Sequence, residues 1–394
     1  MAPSKTSTPK TAPAASVHSS SRLEAAAAVA AQHAERVDAE GVFPRETMAE
    51  LACSGYLGLT SAPAVGGQGA SMRTAIDVVE RLARECGSSA MVLCMHYCGA
   101  AVIEAHASET VRKRVAAGEL LTTLAFSEAG SRSHFWAPLS TARVDEKAIV
   151  LDAQKSWVTS AGAADVYIWS SRSLAQSAKF APEKPTESTL WLVSRSLEGL
   201  SRPPKFDGLG LRGNDSTPVT AKGVRIAESE RLGPEGGGFG VMMGVVLPWF
   251  SLLNSACSLG LMEALVQKTA THVGGTRFAH LDSALAYLPT IRAYLARMRI
   301  QTDLVRTLLH DAAEAASTAR ADAGLRVLEA KAAAGETATQ VGDLAMRVCG
   351  GAAFRREVGV ERAFRDARAA SVMAPTTDAL YDFIGKALTG RELF

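Results

Sequence analysis

Residues 121–165 open a strand-rich region in a chain whose apolar residues recur with helical spacing on either side of it. The stretch reads LTTLAFSEAGSRSHFWAPLSTARVDEKAIVLDAQKSWVTSAGAAD. It opens on an apolar, β-branched run and breaks at Ala129-Gly130. It resumes as two alternating strands near 140–144 and 148–152, then ends at Lys155-Ser156-Trp157-Val158-Thr159. Side chains alternate along a strand, so Trp157 and Thr159 are expected on one side. A flat aromatic face with a hydroxyl two residues on can stack on a planar cofactor and hydrogen-bond its edge. The plainer alternative is a tryptophan buried in a β core.

The flanking sequence divides the chain. Residues 1–22 are rich in Ser, Thr, Pro and Lys and contain no acid. This composition also occurs in organelle transit peptides, but three prolines spoil any amphipathic helix and a disordered tail is expected. Residues 23–120 form a helical domain, with helices near 23–39, 45–54, 72–84, 89–107 and 109–117. Gly66-Gly67-Gln68-Gly69 reads as a turn, because it follows no clear strand and lacks the Lys-Ser/Thr of a phosphate loop. Residues 121–235 are strand-rich, with further strands near 167–171, 188–194 and 219–226. A polar loop is expected at 175–187 and a glycine-punctuated one at 205–215. From 236 to 394 the helical period returns, near 241–270, 281–314, 324–349, 360–371 and 376–388. Four long helices with short links argue an antiparallel bundle.

With 42 basic and 40 acidic residues there is no basic surplus to support nucleic-acid binding. The six cysteines form no Cys-x-x-Cys pair or Cys/His cluster, so no metal site is expected, and Cys94 and Cys98 read as core thiols. No apolar run approaches the about 20 residues of a membrane span, so a cytoplasmic protein without membrane contact is expected.

Several blocks together resemble the acyl-CoA dehydrogenase family. Ser127-Glu128-Ala129-Gly130-Ser131-Arg132-Ser133-His134 is similar to its T-E-P-G-x-G-S-D, Ser140-Thr141-Ala142 to T-x-A, and Lys155-Ser156-Trp157-Val158-Thr159 to K-x-W-I-T. In order follow Gly208-Leu209-Gly210-Leu211-Arg212-Gly213, Gly350-Gly351 and Glu361-Arg362-Ala363-Phe364-Arg365-Asp366-Ala367-Arg368. The resemblance covers about residues 23–394. It implies a mostly α fold with a β-barrel middle domain between a helical N-domain and a four-helix C-terminal bundle, assembled as a homo-oligomer, a dimer or usually a tetramer. It also implies FAD, with FMN or a diffusible reduced flavin as alternatives. Phe126, Ser127, Ser133, Trp157 and Thr159 would contact the ring. Arg277, Arg347, Gly350, Gly351 and Thr376 would contact the rest of the dinucleotide, some of them in a neighbouring subunit.

The resemblance fails where the family's chemistry sits. Its catalytic glutamate, in an E-G-T segment, falls on Ala374, and the alternative position on the first C-domain helix falls on Phe250. The arginine that often holds the substrate falls on Ser251. No base stands at these positions, and Phe250, Ala374, Ser251 and Trp136, with Phe135 and Trp249, suggest an apolar, aromatic substrate pocket. The leading expectation is therefore a reduced-flavin monooxygenase acting on a small, possibly aromatic substrate, supplied by a separate flavin reductase, with His134 or His96 as proton donor. The alternative is an acyl-CoA dehydrogenase with a displaced base, for which Asp378, Glu128 or Asp215 would have to serve. A helical partner protein that lost catalysis is a third possibility, against which the Trp157-Val158-Thr159 face argues.

Overall fold

The computed structural model describes residues 20–131, 134–174, 187–278, 280 and 283–393. Five helices come first: α1 (Ser20–Glu40), α2 (Arg45–Cys53), α3 (Met72–Ala83), α4 (Gly87–His106) and α5 (Glu109–Ala116). Helix α1 thus begins inside the stretch expected as tail. Ser71 starts α3 by accepting a hydrogen bond from the Thr74 amide at 3.2 Å, and Ile76, Val79 and Leu82 form its buried stripe. Helix α4 is apolar all round and buried over most of its length, Cys94 and Cys98 included. It and residues 238–275 are long and apolar enough to cross a membrane, contrary to the reading of apolar runs, yet 83% and 78% of their apolar windows are buried inside the protein. They are core helices.

Eight strands follow: β1 (Thr122–Ala125), β2 (Thr141–Asp145), β3 (Ala148–Val158), β4 (Val166–Arg172), β5 (Ser188–Ser194), β6 (Leu200–Ser201), β7 (Thr217–Ala227) and β8 (Arg231–Leu232). Among the described residues they make two four-stranded sheets, ordered β1-β4-β5-β8 and β2-β3-β7-β6, which form the middle β domain the resemblance implied. Between the sheets lies a core of its own, in which Trp169 and Trp191 are paired across β4 and β5. The helical domains share a second, continuous core. The polar loop expected at 175–187 falls almost wholly outside the described residues.

The C-terminal region comprises α6 (Gly238–Val241), α7 (Leu247–Gly275), the short strands β9 (Arg277–Phe278) and β10 (Ser283–Ala284), α8 (Pro289–Ser317), α9 (Ala323–Cys349), α10 (Val360–Ala367), α11 (Ala369–Val372) and α12 (Thr377–Leu388). Two expected helices are cut differently. Pro289 takes the first turn of α8, where a missing N–H costs nothing, so that helix starts later than expected. The run expected at 241–270 passes through a π turn at Met242–Val246 before α7. Such turns insert a residue into the helical ladder and often mark functional sites.

Candidate active site

A cavity of about 860 Å³ opens between the two-sheet domain and the C-terminal helices. That is a common size for a site holding a cofactor or small molecule. One wall comes from the strands: Phe126, Ser127, Trp157, Thr159 and Ser216. The facing wall comes from the helices: Val246 and Leu247, where the π turn ends, then Phe250, Met373 and Ala374. The loop Phe206-Asp207-Gly208-Leu209-Gly210-Leu211 runs along the rim.

The strand wall is held in place from beneath. Lys155 is buried under it, paired with the buried Glu128 carboxylate and donating to the Ser170 carbonyl at 2.7 Å. Glu128 also accepts from the Ser140 amide at 2.9 Å and the Ser140 hydroxyl at 2.6 Å. Burial pushes the Lys155 ammonium below its ordinary range, with Glu128 opposing that shift. Removing one partner of such a pair costs about 3–5 kcal/mol, because it strands a charge in the interior. Glu128 is therefore committed to structure and is not the displaced base.

Trp157 is 69% exposed, which excludes the buried-tryptophan alternative. Simple strand alternation does not bring it to the cavity, however. The β3–β7 register shifts between Lys155 and Val158, and Trp157 has φ 56°. Such bulges re-aim a side chain. Ser160, Leu211 and Asp215 also have positive φ, at 59°, 50° and 51°. Left-handed non-glycine residues cost of order 1–3 kcal/mol each and cluster at functional sites. Here Ser160 donates its amide to the Asn214 carbonyl at 2.8 Å, and Gly162 donates to Asp215 Oδ2 at 2.6 Å. Asp215 is occupied in this turn and lies off the cavity lining. Thr159 is buried and shares a hydrogen bond with Ser216 at 3.0 Å.

Of the residues singled out from sequence, Phe126, Ser127, Trp157, Thr159, Phe135, Phe250 and Ala374 converge on the cavity. Phe135 stacks on Phe126 with ring centroids 6.4 Å apart. Ser133 lies outside the described residues.

Others do not converge. His96 is buried beside β1; its Nε2–H donates to the Leu57 carbonyl at 2.8 Å and its Nδ1 accepts from the Thr122 amide at 3.2 Å. Both ring nitrogens are engaged, and burial pulls its pKa down to about 4, so it is a neutral strut and not a proton donor. His134 is exposed, edge-on to Trp136 at 5.2 Å, and off the lining. Trp136 is buried behind Phe135 and against Phe383. Ser251 faces the helical interior, and Trp249 packs on the helical core. Asp378 is exposed in the first turn of α12, and Thr376 accepts from the Ala379 amide at 3.4 Å as that helix's N-cap. Arg277, Arg347, Gly350 and Gly351 lie away from this cavity; Arg347 stacks on Tyr294, 5.3 Å from its ring centroid.

Two features of the site went unread in the sequence. The rim loop is fastened by α10: Arg365 donates to the Leu209 carbonyl at 3.0 Å, and the Leu211 amide donates to Asp366 at 2.6 Å. A Cβ at Gly210 would stand 2.4 Å from the Arg365 carbonyl oxygen, so the contact requires glycine. The second feature is Lys331, a buried amine behind the helical wall. A lone lysine in the alanine-rich run 330–334 was the signal available for it.

Comparison with known proteins agrees with this architecture. Residues 19–119, 123–224 and 236–389 match the N-terminal, middle and C-terminal domain models of acyl-CoA dehydrogenase. A probable acyl-CoA dehydrogenase of Mycobacterium leprae is 25% identical over 91% of both chains. The cyclohex-1-ene-1-carbonyl-CoA dehydrogenase of Geobacter metallireducens is 26% identical, covering 92% of this chain and 93% of its own. The structure of butyryl-CoA dehydrogenase from Megasphaera elsdenii superposes with a TM-score of 0.86 at 22% identity, over 94% of this chain and 97% of that one. The three domain models in order, over nearly the whole described chain, show that it belongs to the acyl-CoA dehydrogenase superfamily of flavin-dependent oxidoreductases.

Proposed function

We propose that the protein is an FAD-dependent dehydrogenase of an acyl thioester. The observation that carries this reading is the preformed strand wall, where an exposed Trp157 and a buried Thr159 face a cavity of about 860 Å³. An exposed aromatic face held by a bulge and a strained turn suits an isoalloxazine ring, with Phe126 and Ser127 beside it. FAD supplies the two-electron acceptor. Phe250, Leu247 and Met373 exclude water from the acyl chain opposite.

The reaction moves a proton from Cα and a hydride from Cβ, and leaves a Cα=Cβ double bond. Bound against Trp157, Thr159, Phe126 and Ser127, FAD would supply the acceptor for that hydride. Neither Phe250 nor Ala374 can take the proton. The carboxylates on the described lining are Glu128, locked to Lys155, and Asp207. Asp207 stands on the rim, its side chain 80% exposed and its Oδ1 accepting from Arg212 at 2.8 Å; it lines the cavity, as the exposed His134 and Asp378 do not, and its other oxygen is the acceptor we assign to the Cα proton. Anaerobic mixing of the FAD-loaded protein with short, medium and branched acyl-CoAs tests the reading. Bleaching of the flavin band by any of them supports it, and a band that none of them bleaches sinks it.

A second reading, oxygen transfer by flavin that a separate reductase has reduced, is favoured by one observation. Both family base positions present apolar groups to the cavity. Most of the relatives are named acyl-CoA dehydrogenases, which supports dehydrogenation as the first reading. Oxygen uptake coupled to hydroxylation of an aromatic substrate, in protein that no acyl-CoA bleaches, would reverse that order.

Assembly into a homo-oligomer belongs to the same proposal. Ile300 and Leu304, one turn apart on α8, are 58% and 66% exposed. Arg277, Arg347, Gly350 and Gly351 lie off the cavity, so any part they play in holding FAD would have to come through a second copy.

A further inference from the structure

The two positions at which the family's base is missing share one neighbour. Lys331, on α9, is buried, and its Nζ donates to the Met373 carbonyl at 3.0 Å and the Pro375 carbonyl at 2.7 Å. These two carbonyls bracket Ala374. The same Nζ lies 5.6 Å from the centroid of the Phe250 ring. One amine therefore stands behind both Ala374 and Phe250. One turn along α9, a Cβ on Gly335 would lie 3.3 Å from the Ser371 amide nitrogen and 3.1 Å from the Thr377 hydroxyl. Lys331 and Gly335 make a single face. Gly335 lets the 371–377 backbone come close, and Lys331 grips it.

We propose that Lys331 is a positioning residue that grips the segment Met373-Ala374-Pro375, sets how far Met373 and Ala374 project into the cavity, and thereby limits the acyl group the site admits. The size-selection clause rests on the acyl-thioester reading; the grip does not. An ammonium has three donors. Two are used on the carbonyls, and the neutral amine keeps both of these; Nζ also stands over the Phe250 ring.

The groups around Lys331 leave it free to titrate by itself. From α4 it is influenced by the Cys94 thiol, which burial keeps protonated well above its usual range. From α7 the neighbours are Phe250 and Asn254, the latter bonded to Met373 Sδ at 3.4 Å, and from the segment they are carbonyls. Burial lowers the Lys331 pKa to about 7. Opening the segment would return the amine to water and to its ordinary value of 10.5. The open form then binds a proton that the closed form lacks, so above pH about 7 closure tightens as pH rises, by up to about tenfold per unit.

The test is hydrogen exchange of residues 371–377 in the FAD-loaded parent, K331R and K331M across pH 6–9, read as protection factors. Protection should be flat below about pH 7 and climb above it in the parent. It should stay flat in K331R, whose guanidinium does not titrate, and lie about tenfold lower in K331M, where two buried carbonyls lose their donor. A pH-independent parent profile, or K331M indistinguishable from the parent, overturns the grip. If K331M does not fold, the parent and K331R still decide it. In the same proteins, the ratio of apparent Kd for butyryl-CoA and octanoyl-CoA, followed by the flavin spectrum, should shift at least about threefold in K331M, and an unchanged ratio overturns the size-selection clause. If neither thioester perturbs the flavin of the parent, the acyl-thioester reading and the size-selection clause fall together, while the exchange data still judge the grip.

Discussion

The two walls of the cavity are built on opposite plans. The strand wall is anchored by a buried ion pair, a bulge and a turn tied by the Ser160–Asn214 and Gly162–Asp215 hydrogen bonds. The helical wall is a short segment, 373–375, gripped by one amine, with apolar side chains turned inward. The first wall keeps the residue types of the family's flavin site. In the second, Phe250 and Ala374 stand where the resemblance sets the family's acid. A cofactor wall must recognise one molecule, whereas a substrate wall can be rewritten with the substrate, and the difference in construction follows that division.

Four experiments break or sharpen this contrast. The largest effect belongs to K155M, which leaves Glu128 buried and unpaired. We expect a loss of about 3–5 kcal/mol in urea unfolding, with FAD released. A smaller loss than in an exposed-pair control such as R225Q would mean the strand wall does not depend on its anchor. Next is D207N. General-base catalysis contributes about 10²–10⁴-fold, so the flavin-reduction rate should fall by at least about 10²-fold while FAD affinity holds. Equal rates would return the search for the base to solvent.

The third experiment concerns acid. The folded pKa of His96 is about 4 against an ordinary 6.5, so the folded state refuses a proton that the unfolded state accepts. Stability should therefore fall as pH drops from 6.5 toward about 4, by about 3 kcal/mol in all. His96 braces Thr122 at the start of β1, the strand that leads to Phe126. H96Q should flatten this part of the unfolding profile, and an unaltered acid limb would clear His96 of the role. Smallest is W157A, which removes a stacking face worth about 0.5–1.5 kcal/mol and should weaken FAD binding about two- to tenfold by fluorescence titration. Unchanged affinity would move the ring elsewhere in the cavity.

Periodicity and punctuation made the domain order and most helices legible. Observed α9, Ala323–Cys349, stands within a residue of its expected start, because an apolar stripe closed by glycines is a local signal. Phe126, Ser127, Trp157 and Thr159 of the strand wall were legible too, since they sit close together in sequence, whereas Ser216, 57 residues beyond Thr159, was not. Three further things were not. The bulge that exposes Trp157 depends on register with β7, some sixty residues on. The expected acid–base residues failed because burial and partners decide reactivity: His96 is sealed, Glu128 is paired, and Asp378 belongs to a helix end. Lys331 was hidden because its partners are carbonyls of a segment 42 and 44 residues away, and carbonyls leave no mark in a sequence.

The Lys155–Glu128 pair has a consequence for the life of the protein before it meets its cofactor. The Lys155 and Glu128 groups beneath Trp157 and Thr159 are buried and bonded to each other and to Ser140 and Ser170, so a flavin arriving there finds a receptor already set. Little chain entropy is lost on docking, and preorganisation of this kind strengthens binding without adding contacts. Protein stripped of flavin should keep its fold and recover its colour on simple mixing, with no refolding step.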